Sequence, residues 1–375
     1  MNIFKRCFAS VILVGIFFAW CQYYLANQQT AVIDSMIKAG KFKRYRDTED
    51  VTEWDELDNT KEDQAISEDM RKRKTLTRCR CAERKHTLTQ KAYKYVHSLV
   101  GDDEDKSCSE IAAAGEKFRE KESDVVIRRA KYRFVIPEMY VDDSFEMLYC
   151  PIPKVATSNW RRVMMVMKGH YKSTDDVTND DTWNLFMKKF KMKRLSDFKS
   201  REREFRLRAY TKVMFVRNPL ERLLSAYRDK FEIIPDPIID SAYGKQIRKF
   251  GGKISDGNNG TISFADFVQY LVTHRQGFGA NHHWQTYEEI CRPCEIEYDI
   301  IGKYETLTRD ANFVLRKLGA SDYVKFPEGD LNSTNSSRSS VMTKYYSSVK
   351  KSGYFSEIVD MYRNDFSLFG YSYEL

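Results

Sequence analysis

Apolar and polar positions divide the chain into three parts. From Cys7 to Ala26 the residues are uncharged and rich in Val, Ile, Leu and Phe. At about 1.5 Å of rise per residue, a helix of that length reaches about 30 Å, the depth of a bilayer's hydrocarbon. Residues 27 to 76 are polar and highly charged, run into Arg71-Lys72-Arg73-Lys74, and keep no apolar period. Such a segment reads as a stem, partly helical or disordered. From Thr77 to about Lys121 the pattern is helical, with Ala, Leu and Tyr spaced along Leu88–Val100. A dense core is expected from about Val125 to the C-terminus.

Within that core two strand-to-helix units stand out. Glu146-Met-Leu-Tyr-Cys-Pro151 is a short apolar strand. The helix after it places Trp160, Val163, Met164 and Met167 on one face. Lys212-Val-Met-Phe-Val-Arg217 is a buried-type strand. Asn218 then suits an N-cap, Pro219 the first helical position and Glu221 a capping box. Leu220, Leu223, Leu224 and Tyr227 form that helix's apolar stripe. Strands alternating with helices predict an α/β fold, a parallel sheet flanked by helices on both faces. Segments 251–260 and 331–340 are Gly-, Asn- or Ser-rich and read as surface loops, and Tyr354–Tyr373 reads as helix.

Composition narrows the partners. The chain has 375 residues and a formal net charge of +8. That charge favours nucleic acid, acidic lipid, acidic polysaccharide or a phosphate-rich cofactor without choosing among them. An anchor at 7–26 competes with a cleaved signal peptide, for which Tyr24-Leu25-Ala26 is the one hint of a cleavage site. Its orientation stays open, because Lys5 and Arg6 precede it while Lys38, Lys41, Lys43, Arg44 and Arg46 follow. Cys79, Cys81, Cys108, Cys150, Cys291 and Cys294 lie beyond it, an even number compatible with three disulfides of undetermined pairing. Zinc is the rival for Cys79 and Cys81 with His86, and for Cys291 and Cys294 with His282 and His283. Asn259, Asn332 and Asn335 begin N-glycosylation triplets.

The chemistry sits at the two strand-helix junctions. Pro153-Lys-Val-Ala-Thr-Ser-Asn-Trp160 puts a lysine and hydroxyls at a helix start, where free N–H groups and the dipole favour an anion. In the plainer reading Thr157 or Ser158 merely caps a helix. Glycines of a P-loop nucleotide kinase are absent. At the second junction Arg217 can hold a phosphate bidentately, and Ser225 follows two turns on.

Together these blocks resemble the 5′-phosphosulfate loop and the 3′-phosphate site of sulfotransferases that use 3′-phosphoadenosine 5′-phosphosulfate (PAPS). The second block reads Phe215-Val-Arg-Asn-Pro-Leu-Glu-Arg-Leu-Leu-Ser-Ala-Tyr-Arg-Asp-Lys-Phe231. A third comprises Asn281-His-His-Trp284, Cys291-Arg-Pro-Cys294 and Tyr298-Asp-Ile-Ile-Gly-Lys-Tyr-Glu-Thr-Leu307. The similarity is greatest to the Golgi carbohydrate sulfotransferases, above all the chondroitin 4-O-sulfotransferases, and runs from about Cys150 to Tyr371. It departs at Asn218, where relatives often carry a charged residue, and at Thr157-Ser158, where Cys-Thr is commoner.

The resemblance implies a P-loop-like sulfotransferase fold with PAPS as donor and no metal. Pro153, Lys154, Val155, Ala156, Thr157, Ser158 and Asn159 would cradle the phosphosulfate. The 3′-phosphate would lie against the stretch Arg217, Asn218, Pro219, Leu220, Glu221, Arg222, Leu223, Leu224 and Ser225. Lys154 would act on the leaving oxygen, and His283, or next His282, would be the general base. It also implies a type II Golgi membrane protein, with a cytoplasmic tail at 1–6, an anchor at 7–26, a stem at 27–76 and a lumenal domain at 77–375. The acceptor would be a glycosaminoglycan or glycoprotein glycan: the 4-OH of N-acetylgalactosamine in chondroitin or dermatan first, then terminal N-acetylgalactosamine or glucuronic acid. A non-catalytic glycan-binding ectodomain is the rival class. Nucleic acid is not an expected partner, and oligomeric state stays open.

Overall fold

The computed structural model describes residues 61–86, 137–233, 235–250, 260–274, 281–328 and 334–375. The tail and anchor expected at 1–26, the stem to residue 60, the helical pattern beyond 86, and Asn259 and Asn332 lie outside the described residues. Among the described residues no helix is long and apolar enough to cross a membrane.

A five-stranded sheet forms the centre, in the order β3-β1-β2-β4-β5. Its strands are β1 (Tyr140–Asp142), β2 (Met147–Cys150), β3 (Lys193–Arg194), β4 (Thr211–Val216) and β5 (Ile300–Lys303). Strands β2, β4 and β5 are parallel, as their apolar runs predict. The sheet as a whole is mixed, however. β1 pairs antiparallel with both β2 and β3. A four-residue turn returns β1 onto β2, a connection too short for a crossover helix. Gly302 on β5 has a packing reason, since a Cβ there would stand 2.2 Å from the Phe215 ring on β4.

Helices around the sheet include α1 (Lys61–His86), α2 (Thr157–Met167), α3 (Ser200–Ala209), α4 (Pro219–Tyr227), α5 (Phe264–Thr273), α6 (Tyr287–Cys291), α7 (Leu307–Lys317), α8 (Ser339–Lys351), α9 (Phe355–Met361) and α10 (Arg363–Phe369). Trp160 on α2 is fully buried and meets Tyr149, Phe215 and Phe326 with ring centroids 5.2–5.4 Å apart. A second core joins α4 and α5 to α8, α9 and α10 through Leu220, Phe267, Tyr346 and Tyr362.

Helix α1 crosses the expected boundary between stem and domain at 76/77. Its Ile66, Met70 and Cys81 are buried, and it packs against β5, α7 and α10. The basic run at 71–74 is not all solvated. Arg73 is 12% exposed and bridges at 2.5 Å to Asp310, which is fully buried. Two disulfides join Cys81 to Cys294 and Cys150 to Cys291. Cys81 and Cys294, weighed as zinc ligands, thus hold each other, and Cys291 is held by Cys150. The side chain of Cys79, and Cys108, lie outside the described residues.

Candidate active site

Three parallel strands end at the same edge, and each delivers a piece of one cavity. This is where an open α/β sheet presents its ligand crevice. The cavity has a volume of about 950 Å³.

The loop leaving β2 is shaped without glycine. Lys154 and Ala156 hold φ of 67° and 58°, the left-handed region. Each such residue costs about 1–3 kcal/mol, and strain of this kind clusters at functional sites. A loop that alternates hand in this way can gather backbone N–H groups around an anion. No side chain caps α2 at Ala156. The Thr157 hydroxyl instead donates to the Ile152 carbonyl. The capping reading of Thr157 and Ser158 therefore gives way to an open helix terminus beside the cavity.

The loop leaving β4 begins with Arg217, 4% exposed. Its guanidinium donates to the Lys154 carbonyl at 3.3 Å and to Ser337 Oγ at 2.7 Å, and its Nε reaches Glu221 at 3.3 Å. The Tyr304 ring, just after β5, lies 4.2 Å from the guanidinium carbon. Asn218 caps α4, accepting from the Leu220 N–H at 2.9 Å. Glu221 does not complete the expected capping box. Its carboxylate serves Arg217 and Ser337, and the Asn218 N–H donates to Glu305 at 3.1 Å instead. Ser225 accepts from Thr334 Oγ1 at 3.0 Å, and Thr334 also meets the Ser336 hydroxyl.

The predicted stretch 217–225 therefore splits by role. Arg217 and Ser225 line the cavity; Leu220, Leu223 and Leu224 are core. Arg222 is 1% exposed and donates to three backbone carbonyls, those of Pro153, His282 and Gln285, at 3.1, 2.9 and 2.6 Å. It ties the β2 loop to the His282-His283 segment and does not face the cavity. Of the first loop, Pro153, Lys154, Ala156, Thr157, Ser158 and Asn159 line the cavity, while Val155 is buried beneath them.

Lys154 Nζ stands 3.3 Å from Asp229, which sequence reasoning did not single out. Burial holds the Lys154 ammonium below the usual lysine range. Lys230 beside it bridges Asp229 and Asp236. Across the cavity, His283 is 8% exposed and stacks on His282 at 4.6 Å. The Asn281 Oδ1 accepts the His283 backbone N–H at 3.0 Å, so that atom is an acceptor. The same oxygen lies 2.7 Å from His283 Nδ1, which therefore carries the proton. Nε2 is left as the basic nitrogen. Burial, with His282, Lys230 and Lys154 adding to it, pushes His283 down to about 2, so the imidazole is neutral.

Asn179, Trp183, Asp229, Lys230, Tyr304 and Ser337 were missed. Of these, Asp229 and Lys230 lay inside the quoted Phe215–Phe231 block and Tyr304 inside the quoted Tyr298–Leu307 block, the signals available. Asn335 is exposed, two residues from Ser337.

Comparison with known proteins settles the class. The profile of the "Sulfotransferase family" matches residues 137–372. The chain belongs to the sulfotransferase family. Rat carbohydrate sulfotransferase 11 is 35% identical over 244 residues, 63% of this chain and 68% of the relative. Mouse carbohydrate sulfotransferase 8 is 36% identical over 250 residues, 65% of this chain and 59% of the relative. Zebrafish carbohydrate sulfotransferase 14 is 37% identical over 242 residues, 63% of each. No solved structure matches the chain. This sulfotransferase is an enzyme of the PAPS-dependent class, and its site fits that donor. An open helix terminus, a glycine-free anion loop, Lys154 and Arg217 face one cavity, with the hydroxyl of Ser225 among its lining groups.

Proposed function

We propose that this sulfotransferase moves a sulfuryl group from PAPS to a glycan hydroxyl, the 4-OH of N-acetylgalactosamine in chondroitin or dermatan. The observation that carries the reading is the meeting of Lys154, the uncapped start of α2, Arg217 and Ser225 at a single cavity that also holds His283. The names of its relatives support a carbohydrate acceptor. The resemblance through Cys291–Cys294 and Tyr304–Leu307 supports the chondroitin branch. Trp183, 51% exposed, and Asn184 also line the cavity and offer an aromatic face and a polar group to a sugar.

In this reading the acceptor oxygen bonds sulfur as the bond from sulfur to the bridging oxygen breaks. His283 Nε2 takes the hydroxyl proton. Lys154 neutralises charge growing on the bridging oxygen, and the leaving group departs as the 3′,5′-bisphosphate. Arg217 and Ser225 hold its 3′-phosphate. The enzyme mainly positions groups and stabilises charge.

Two disulfides fit an oxidising compartment. With the apolar run at 7–26 and the sequons, they support a single-pass type II protein of the Golgi membrane with a lumenal domain.

The test is transfer of labelled sulfate from PAPS by the full-length protein in detergent. Acceptors would be desulfated chondroitin, dermatan, heparosan and a terminal N-acetylgalactosamine glycan. Transfer to chondroitin or dermatan, lost in Lys154→Ala and Arg217→Ala, is expected. Transfer to another acceptor alone would replace the branch. Failure of the folded protein to bind PAPS would leave only a glycan-binding role.

A further inference from the structure

One buried arginine aims two amides into the cavity. Arg162 on α2 is 2% exposed. Its Nη1 donates to Asn159 Oδ1 at 3.1 Å, its Nη2 to Asn179 Oδ1 at 2.6 Å and its Nε to the Val177 carbonyl at 3.2 Å. A guanidinium has only donors, so the atom each asparagine offers it is the carbonyl oxygen. The amide nitrogens must then point away from Arg162. Both asparagines line the cavity. Asn159 is 7% exposed, and neither Nδ2 has an acceptor among the described residues.

Their places say what the acceptor is. Asn159 belongs to the same loop and helix start as Lys154 and Thr157, at the phosphosulfate end. Asn179 stands beside it, tied to the same guanidinium. In the reading above that end receives the sulfuryl group, whose non-bridging oxygens carry charge spread over acceptor atoms. Among the described residues Arg162 meets no carboxylate, only amide and peptide oxygens, so its charge polarises both amides toward the cavity.

We propose that Asn159 and Asn179 hold the non-bridging oxygens of the sulfuryl group during transfer, with Arg162 as the positioning residue of both. This rests on the sulfuryl-transfer reading above; it gives Asn159, already in the phosphosulfate cradle, a specific partner and adds Asn179 as a new donor. It changes no bond in that scheme; the amides accept no proton and stay neutral throughout.

The test compares PAPS with 3′,5′-bisphosphate, which is the donor without its sulfuryl. Asn179 is exposed, so Asn179→Ala and Asn179→Asp are chosen over changes at Asn159. Calorimetric Kd values for both ligands and kcat with the best acceptor are measured on the full chain. Asn179→Ala should leave the bisphosphate Kd within twofold, weaken PAPS about 5- to 20-fold and lower kcat about 10²- to 10³-fold, as for loss of one oxyanion donor. Asn179→Asp should do worse than Ala on both PAPS counts, because a carboxylate repels the sulfuryl. Arg162→Lys, checked for fold by circular dichroism, should copy Asn179→Ala in weaker form. Equal weakening of both ligands would mean that the amide holds the phosphate. A rise in acceptor KM alone would mean that it holds the sugar, and an unchanged kcat would mean neither; each of these overturns the proposal. If the wild type binds PAPS no better than the bisphosphate and transfers nothing, the transfer reading falls as well.

Discussion

Lys154 stands in a left-handed backbone well with its ammonium out of water and one carboxylate, Asp229, beside it. The resting site is thus self-neutralised, since Arg217 likewise leans on Glu221. An arriving dianion must displace these partners. Each charged hydrogen bond is worth about 1.5–3 kcal/mol. Lys154→Ala and Arg217→Ala should each weaken PAPS by roughly 10- to 150-fold in a titration, with no change in thermal stability of matching size. His283 makes a second prediction. Its folded value of about 2 lies below the ordinary 6.5, so the free enzyme keeps its base down to acid pH. Negative charge from the donor offsets Lys154 and Lys230 and raises it. The acid limb of kcat should therefore sit at higher pH than that of kcat/KM, and His283→Gln should remove it with a loss of about 10²- to 10⁴-fold. Coincident limbs would count against His283. At this scale the sequence was legible where chemistry follows a motif, at Lys154, Arg217, Ser225 and His283. Asn179 and Ser337 were not, because their roles come from Arg162 and Arg217 reaching across 17 and 120 positions.

Among elements, α4 does more than present Arg217. Arg222 rivets it to two loops through three carbonyls. Arg222→Met leaves those carbonyls unpaired and should cost about 3 kcal/mol or more. PAPS affinity should fall with it, since the Pro153 carbonyl is on the donor loop; unfolding and titration on one sample check both. Helix α6 carries a pH signature. Its first N–H, on Tyr287, donates to both oxygens of fully buried Asp365 at 3.1 and 3.0 Å. Burial pushes the Asp365 carboxyl up to about 7, above its ordinary 3.8. The folded state then binds more protons than the unfolded between those values, so stability falls as pH rises from about 4 to about 7. Asp365→Asn should flatten that slope in urea melts. The two strand-helix units were legible from their apolar periods. Strands β1 and β3 were not, being three and two residues long. The packing of helix α1 onto the domain escaped as well, because its buried face rests on a few apolar residues and on Arg73, a residue type that reads as solvent-facing.

Across the whole molecule, the expected α/β architecture holds and the all-parallel sheet does not. The parallel half carries every strand end that shapes the cavity. The antiparallel half extends the sheet away from it. Disulfide pairing could not be read from spacing, since both bridges span long stretches of chain. Removing the Cys81–Cys294 bridge by a double Cys→Ser change should cost about 2–5 kcal/mol in unfolding, while PAPS affinity changes less than it does in Lys154→Ala.

Those bridges also set an order of events on the ribosome. Cys150 waits 141 residues for Cys291, and Cys81 waits 213 for Cys294. At about 5–20 residues per second the first wait is roughly 7–28 s and the second roughly 11–43 s. Cys79, Cys81, Cys108 and Cys150 all emerge before either lasting partner exists. Pairs formed by order of appearance would be wrong ones. The native bridges are those that survive exchange once the sheet has closed, so the yield of active protein should follow the supply of disulfide isomerase more than the supply of oxidant.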